Sequence, residues 1–211
     1  MQTSILTTSI FRKRESVVKH VNYEVNVTAE YMHELIKGQS GGTKAGQGMA
    51  SAVPLLMKLF TTTSQSILQD KTAMDELRSA DLIVALSVFP TASYLAVHLN
   101  KPFIMLHPSA FTLFGSLAQV PLPPSYIPMI QASDSMNFVQ RTKNFLLVSA
   151  KNLAASALFD YSIGSFFAKR GICKGKSYAE IVGNAEMHIV SHDFTIEFAH
   201  PLMPSEFTLK A

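Results

Sequence analysis

Two strand-like runs, Asp81 to Leu86 and Phe103 to Leu106, bracket a short helical pattern, and this arrangement constrains the fold more than any other feature of the chain. Thr91 stands where a helix cap is wanted, and Ala92 to Leu99 continues with helix-compatible residues. Lys101-Pro102 then stops the helix. Strand, short helix and strand at this spacing form a βαβ unit, whose two strands must run parallel. The fold class is therefore α/β with a parallel, Rossmann-like sheet. A chain of 211 residues can bury one good core, and nothing in the pattern marks an internal repeat or boundary, so 1–211 reads as one domain.

The flanking pattern is consistent with that class. Val21, Tyr23, Val25 and Val27 alternate, as in a strand over 20–28, and Thr28 can cap a helix over Ala29–Lys37. The start of the chain reads as frayed or incomplete. Gln39 to Gly48 is a flexible loop by composition and lacks the Gly-Lys-Ser/Thr ending of a phosphate loop. Pro54 suits the first turn of a helix reaching about Gln69. Asp70 or Thr72 can cap a short helix to about Ala80, with Met74 and Leu77 inward. Four prolines between Val120 and Ile130 exclude helix and central strand there. Ser133 or Ser135 can cap a long helix to about Phe167, whose most apolar part, Phe145 to Phe159, reads as buried. A short helix over Tyr178–Val182 and a strand over Met187–Ser191 follow. The tail, Phe198 to Lys210, reads as extended.

Composition removes several classes. A net charge of +3 with scattered basic residues gives no electrostatic footprint for nucleic acid. The single cysteine, Cys173, excludes a disulfide framework and the common zinc patterns, and no metal site is expected. No secretory signal is visible, because the basic cluster at Arg12–Arg14 follows the weak apolar stretch instead of preceding it. Hydrophobic residues reach 47% against 16% charged, which suits a large core or a surface meant for a partner or membrane.

In doubly wound sheets the ligand crevice lies outside the carboxyl ends of the strands. Here those ends are Leu86-Ser87-Val88-Phe89, His107-Pro108-Ser109-Ala110-Phe111 and Ser191-His192-Asp193. A lining that is mostly apolar, with a few hydroxyls and imidazoles, suits a lipophilic small molecule. His107 either bonds to the adjoining loop or touches the ligand, and no nearby carboxylate in sequence could orient it as a base. Phe111, Phe114 and Leu117 either line a pocket or cover the sheet edge. Tyr126 anchors the proline-rich loop. His98 and His188 fit helix and strand packing. Arg141 and Asn144 lie either on a solvated helix face or at a domain interface.

Four stretches carry a family resemblance: LQDKTAMDELRSADLIVALSVFP, KPFIMLHPSAF, LPPSYIPMIQASDSMNFVQRTKNFL and NAEMHIVSHDFTIEFAHPLMP. In order and spacing they are similar to the N-terminal half of the UDP-glucuronosyltransferase and UDP-glycosyltransferase family, over roughly Gln69 to Phe207. Residues 1–68 match weakly. The resemblance implies a GT-B N-terminal domain, short of its first strands, that holds a small lipophilic acceptor. It also implies a UDP-sugar donor held by a separate C-terminal half, and an endoplasmic reticulum membrane setting. In the family a His deprotonates the acceptor hydroxyl and an Asp orients that His. The Asp position falls on Leu86, which can neither accept a hydrogen bond nor carry charge, and the His-bearing first strand has no counterpart. The resemblance thus assigns no catalytic residue. It leaves Ser87, Phe89, His107, Ser109, Phe111, Phe114 and Tyr126 as acceptor-side candidates. The ending FTLKA departs from the family where its linker would begin, as in an alternative ending or incomplete gene model. The expected protein is inactive alone. Its alternative role is that of a non-catalytic form that modulates a full-length transferase or binds lipophilic ligands.

Overall fold

A computed structural model describes residues 4–8, 19–23, 30, 33, 47–87, 89–107, 136–191 and 206–209. They belong to two compact units, 1–80 and 81–211. The helix expected over Ala29–Lys37, the glycine-rich loop up to residue 46 and the proline-rich segment lie outside the described residues, apart from the helical Glu30 and His33.

In the first unit, β1 (Ser4–Thr8) and β2 (Lys19–Tyr23) pair in parallel, with Ser4 opposite Lys19 and Thr8 opposite Tyr23. The strand expected over 20–28 thus begins one residue earlier, and it has a partner in a stretch that reads as a frayed start. Helix α1 runs Gln47–Gln69, so Pro54 falls inside it and not in its first turn. Gly48 and Gln47 carry no apolar periodicity, which hides the true start from a reading by pattern. Met57, Phe60, Ser64 and Ile67 are buried at helical spacing. The Ser64 hydroxyl donates to the Phe60 carbonyl at 2.7 Å, which satisfies it inside that stripe. Asp70 then caps α2 (Lys71–Ser79), its carboxylate accepting from the Ala73 N–H at 3.0 Å. Ala73, Met74 and Leu77 are the buried residues of that helix.

In the second unit four strands lie side by side in chain order, all parallel: β3 (Ile83–Leu86), β4 (Phe103–His107), β5 (Met187–Ser191) and β6 (Glu206–Leu209). β3 was expected to be buried throughout; it is buried on one face only. Ile83 and Ala85 are inside, while Val84 and Leu86 are 60% and 44% exposed. Alternation explains this, since successive side chains of a strand point to opposite faces and the face of Val84 and Leu86 is the open one. Helix α3 (Thr91–His98) starts one residue earlier than the sequence suggests: Thr91 is its first residue, and Pro90 precedes it without a side-chain cap. Asn100, at φ 53°, takes the left-handed turn that ends the helix.

Helix α4 runs Phe138–Phe159 and is capped by Asn137, not by Ser133 or Ser135. Asn137 Oδ1 accepts from the Gln140 N–H and Gln140 Oε1 accepts from the Asn137 N–H, both at 2.9 Å. This reciprocal box satisfies two orphan donors at once. The expected burial of Phe145–Phe159 is corrected: Phe145, Leu146, Leu147 and Leu153 are exposed, and among the described side chains of the helix Asn144, Ala155 and Phe159 are buried. The helix continues through a π-helical turn, Asp160–Gly164, into α5 (Ser165–Ala168), one residue beyond the expected end. Helix α6 (Tyr178–Gly183) carries its own Ser177–Glu180 capping box. The Ser177 N–H and hydroxyl both bond to the Glu180 carboxylate, and the backbone bond holds that carboxyl below its usual range.

Truncating Phe167, fully buried in the aromatic stack of this unit, is expected to cost about 3–5 kcal/mol as Phe167→Ala. Leu153→Ala, at 75% exposure, is expected to change stability by less than about 0.5 kcal/mol. Urea unfolding of both variants checks the pair.

Candidate functional site

The parallel strands bring the carboxyl ends of β3, β4 and β5 to one edge of the sheet, where the sequence places the ligand. Leu86 lies opposite Leu106, and the Ser87 N–H donates to the Leu106 carbonyl at 2.9 Å. One step further along, Ser87 and His107 therefore face each other across neighbouring strands. Both continue the buried alternation, Ile83-Ala85-Ser87 on one strand and Phe103-Met105-His107 on the other. Leu86 points to the opposite, exposed face. Phe89 is half-exposed after the strand, its N–H bonded to the Leu86 carbonyl at 2.9 Å. Ser109, Phe111, Phe114, Tyr126, His192 and Asp193 lie outside the described residues.

His107 bonds to a residue that sequence reasoning left to packing. Its Nε2 is 3.0 Å from Nδ1 of His188, and both rings are buried. Strand register explains the meeting: His188 pairs with Met105, so its side chain shares the face of His107 one step away. Nothing local could have revealed this, because the two residues are 81 apart in sequence and the pairing needs the strand order. Burial, and then the neighbouring imidazole of His188, push the pKa of His107 down to about 4. At neutral pH the ring is uncharged, which is the form suited to a hydrogen bond from a neutral ligand. Ser87 Oγ and His107 Nδ1 have no hydrogen-bond partner among the described residues.

Of the remaining candidates, Asn144 is fully buried on α4, while Arg141 is exposed and bonds through Nε to the Met136 carbonyl at 3.1 Å. The pair does not act as one patch. Cys173 is half-buried, and burial raises its thiol pKa, which makes it a poor nucleophile at neutral pH. Among the described residues no group of three or more His, Cys, Asp or Glu side chains could hold a metal ion. No described helix is long and apolar enough to cross a membrane.

Comparison with known proteins gives the same direction as the motifs. The family model of the UDP-glucoronosyl and UDP-glucosyl transferases matches residues 3–209, which takes in residues 3–68 of the weakly matched start. The chain is 32% identical over 168 residues to human UDP-glucuronosyltransferase 3A1, covering 76% of this chain and 31% of that protein. It is 28% identical over 162 residues to rat UDP-glucuronosyltransferase 1-2, covering 74% and 30%. Human UDP-glucuronosyltransferase 2B28 is 26% identical over 153 residues, covering 70% and 29%. The chain thus spans about three-tenths of the length of the curated relatives it matches. No solved structure matches it.

The buried imidazole makes stability depend on pH. The unfolded His titrates near 6.5 and the folded one near 4, so the unfolded state takes up the proton first. The contribution is fully present above the unfolded value and is lost as pH falls from 6.5 toward 4, by on the order of 3 kcal/mol. Urea midpoints measured across that window are expected to fall more steeply for the wild type than for His107→Gln.

Proposed function

This chain belongs to the UDP-glucoronosyl and UDP-glucosyl transferase family, and from that premise we propose that it is an acceptor-binding half. It holds a small lipophilic alcohol or phenol at the carboxyl ends of β3, β4 and β5. Membership implies a GT-B arrangement, and the small parallel sheet with its helices is compatible with that. Family chemistry moves a sugar from a UDP-sugar to the acceptor oxygen. The observation that carries the proposal is the placement of Ser87 and His107 side by side at the strand ends, beside the half-exposed Phe89. Ser109, Phe111, Phe114 and Tyr126 complete the acceptor side in this reading.

The polypeptide of these 211 residues binds but does not transfer. Leu86 stands where the family keeps the carboxylate that orients its base. It also faces away from His107, so no aspartate-for-leucine equivalent acts on that imidazole. Nucleophilic attack needs the hydroxyl proton removed as the oxygen moves, and an imidazole held near 4 is a weak acceptor for it.

A second reading is supported by the outer side of α4, where Phe138, Leu146 and Leu153, followed by Tyr161, are strongly exposed. In this reading the chain is a non-catalytic form that docks on a full-length transferase or on the endoplasmic reticulum membrane surface and modulates transfer there.

Incubation of the purified 211-residue chain with a UDP-sugar and 1-naphthol is expected to release no UDP above the no-protein control. Equilibrium dialysis is expected to show that it retains 1-naphthol. UDP release in step with glycoside formation would overturn the first half of the proposal; failure to retain the phenol would overturn the second. A full-length relative whose rate changes when the chain is added would favour the modulating form.

A further inference from the structure

Two buried polar atoms lie on neighbouring strands at the carboxyl edge of the sheet. Ser87 is 1% exposed and His107 is 0% exposed, and neither Ser87 Oγ nor His107 Nδ1 has a partner among the described residues. Buried polar atoms in native proteins are nearly always paired, so each orphan calls for a cause. These two occupy adjoining positions on neighbouring parallel strands, one step past the Leu86–Leu106 pair, and face the same side. That placement suggests a shared cause.

His188 sets what the pair can receive. The single hydrogen between His107 Nε2 and His188 Nδ1 belongs to one ring or the other. If His107 donates, its Nδ1 is a bare lone pair that needs a donor. If His188 donates, His107 Nδ1 carries a hydrogen that needs an acceptor. A hydroxyl serves either case, because it donates one hydrogen and accepts through its oxygen, and the Ser87 hydroxyl rotates to take the complementary role. A carboxylate would suit one tautomer only and would be desolvated as a charge at a large cost. The surrounding buried side chains, Ile83, Ala85, Met105 and Val190, are apolar.

We propose that Ser87 and His107 form a receiving point for one hydroxyl of a neutral, otherwise apolar alcohol or phenol, with His188 holding the His107 ring in place. This rests on the acceptor-binding reading and adds the atoms that recognise the functional group. His107 is here a binding residue: it fixes where the oxygen sits and does not remove its proton.

The test compares 1-naphthol with naphthalene, which differ by the hydroxyl alone, on the whole chain. Wild type is expected to favour 1-naphthol by about 5- to 30-fold, in line with one or two hydrogen bonds made out of water. Ser87→Ala and His107→Phe are expected to reduce that preference to near unity while naphthalene binding persists. In nitrogen-15 NMR of the wild type, the His107 Nδ1 resonance is expected to move with 1-naphthol and stay still with naphthalene, a readout that does not depend on a variant folding. Equal binding of the two probes overturns the receiving point and leaves the lipophilic site standing. A preference that survives Ser87→Ala, with Nδ1 unmoved, places the hydroxyl elsewhere, or Nδ1 on an enclosed water, and also overturns it. Binding of neither probe removes the acceptor reading itself.

Discussion

A column of stacked rings organises the second unit. The rings of Phe159 and Tyr178 stack at 4.6 Å, Tyr94 stacks on Phe167 at 4.6 Å, and Tyr94 and Tyr178 lie 6.2 Å apart. All four are essentially without solvent exposure. They come from the C-terminal end of α4, from α6, α3 and α5, so the stack joins elements that lie far apart along the chain. The π-helical turn belongs to this arrangement. It changes the rotational phase between Phe159 and Phe167, and its Asp160 carboxylate accepts the Tyr178 backbone N–H at 2.6 Å. Asp160, the first residue of that turn, thereby ties it to the start of α6. Burial raises the pKa of both tyrosines, which keeps them neutral in the stack. The consequence reaches the end of β3: α3 carries Tyr94 and begins at Thr91, four residues after Ser87, so holding the ring holds the helix that follows the strand.

Local chemistry made much of this legible and long-range pairing hid the rest. β4 and β5 were readable because short apolar runs bounded by breakers have few alternatives. Asp70 was readable as one of two caps, with Thr72, and the structure selects it because its carboxylate reaches the Ala73 N–H. The pattern puts the cap of α4 at Ser133 or Ser135 and passes over Asn137, whose partner in the reciprocal box is the glutamine three residues on. Pro54 misled because proline favours a first helical turn but does not require one. The exposure of Phe145, Leu146 and Leu153 was not legible at all. Apolar periodicity marks a face without stating whether anything covers it.

The candidate site divides in the same way. Its location at the strand ends follows from topology, and Ser87 and His107 were visible as residues there. Their relation was not, since alternation had to be combined with register to put them on one face and Leu86 on the other. His188 was further out of reach, because its place beside His107 depends on which strand neighbours which, and that is decided by the whole sheet. The opposed faces also bear on chemistry. A carboxylate at position 86 would stand on the exposed side of β3, away from the His107 imidazole.

In the proposed reading, the Ser87–His107 pair raises affinity without raising rate. A hydrogen bond between a ligand hydroxyl and a neutral imidazole is made fully in the bound ground state. It accelerates a reaction only if it strengthens as the oxygen loses its proton and gains nucleophilicity. For that the nitrogen must take the proton, and both the burial of His107 and its neighbouring imidazole oppose a charged ring. Lifting that opposition would require a carboxylate within reach of Nδ1 or of the His188 ring, and the described residues on that face supply serine, methionine, alanine and valine instead. In the proposed reading, the features that would let Ser87 and His107 receive a hydroxyl are therefore those that keep the imidazole from activating one.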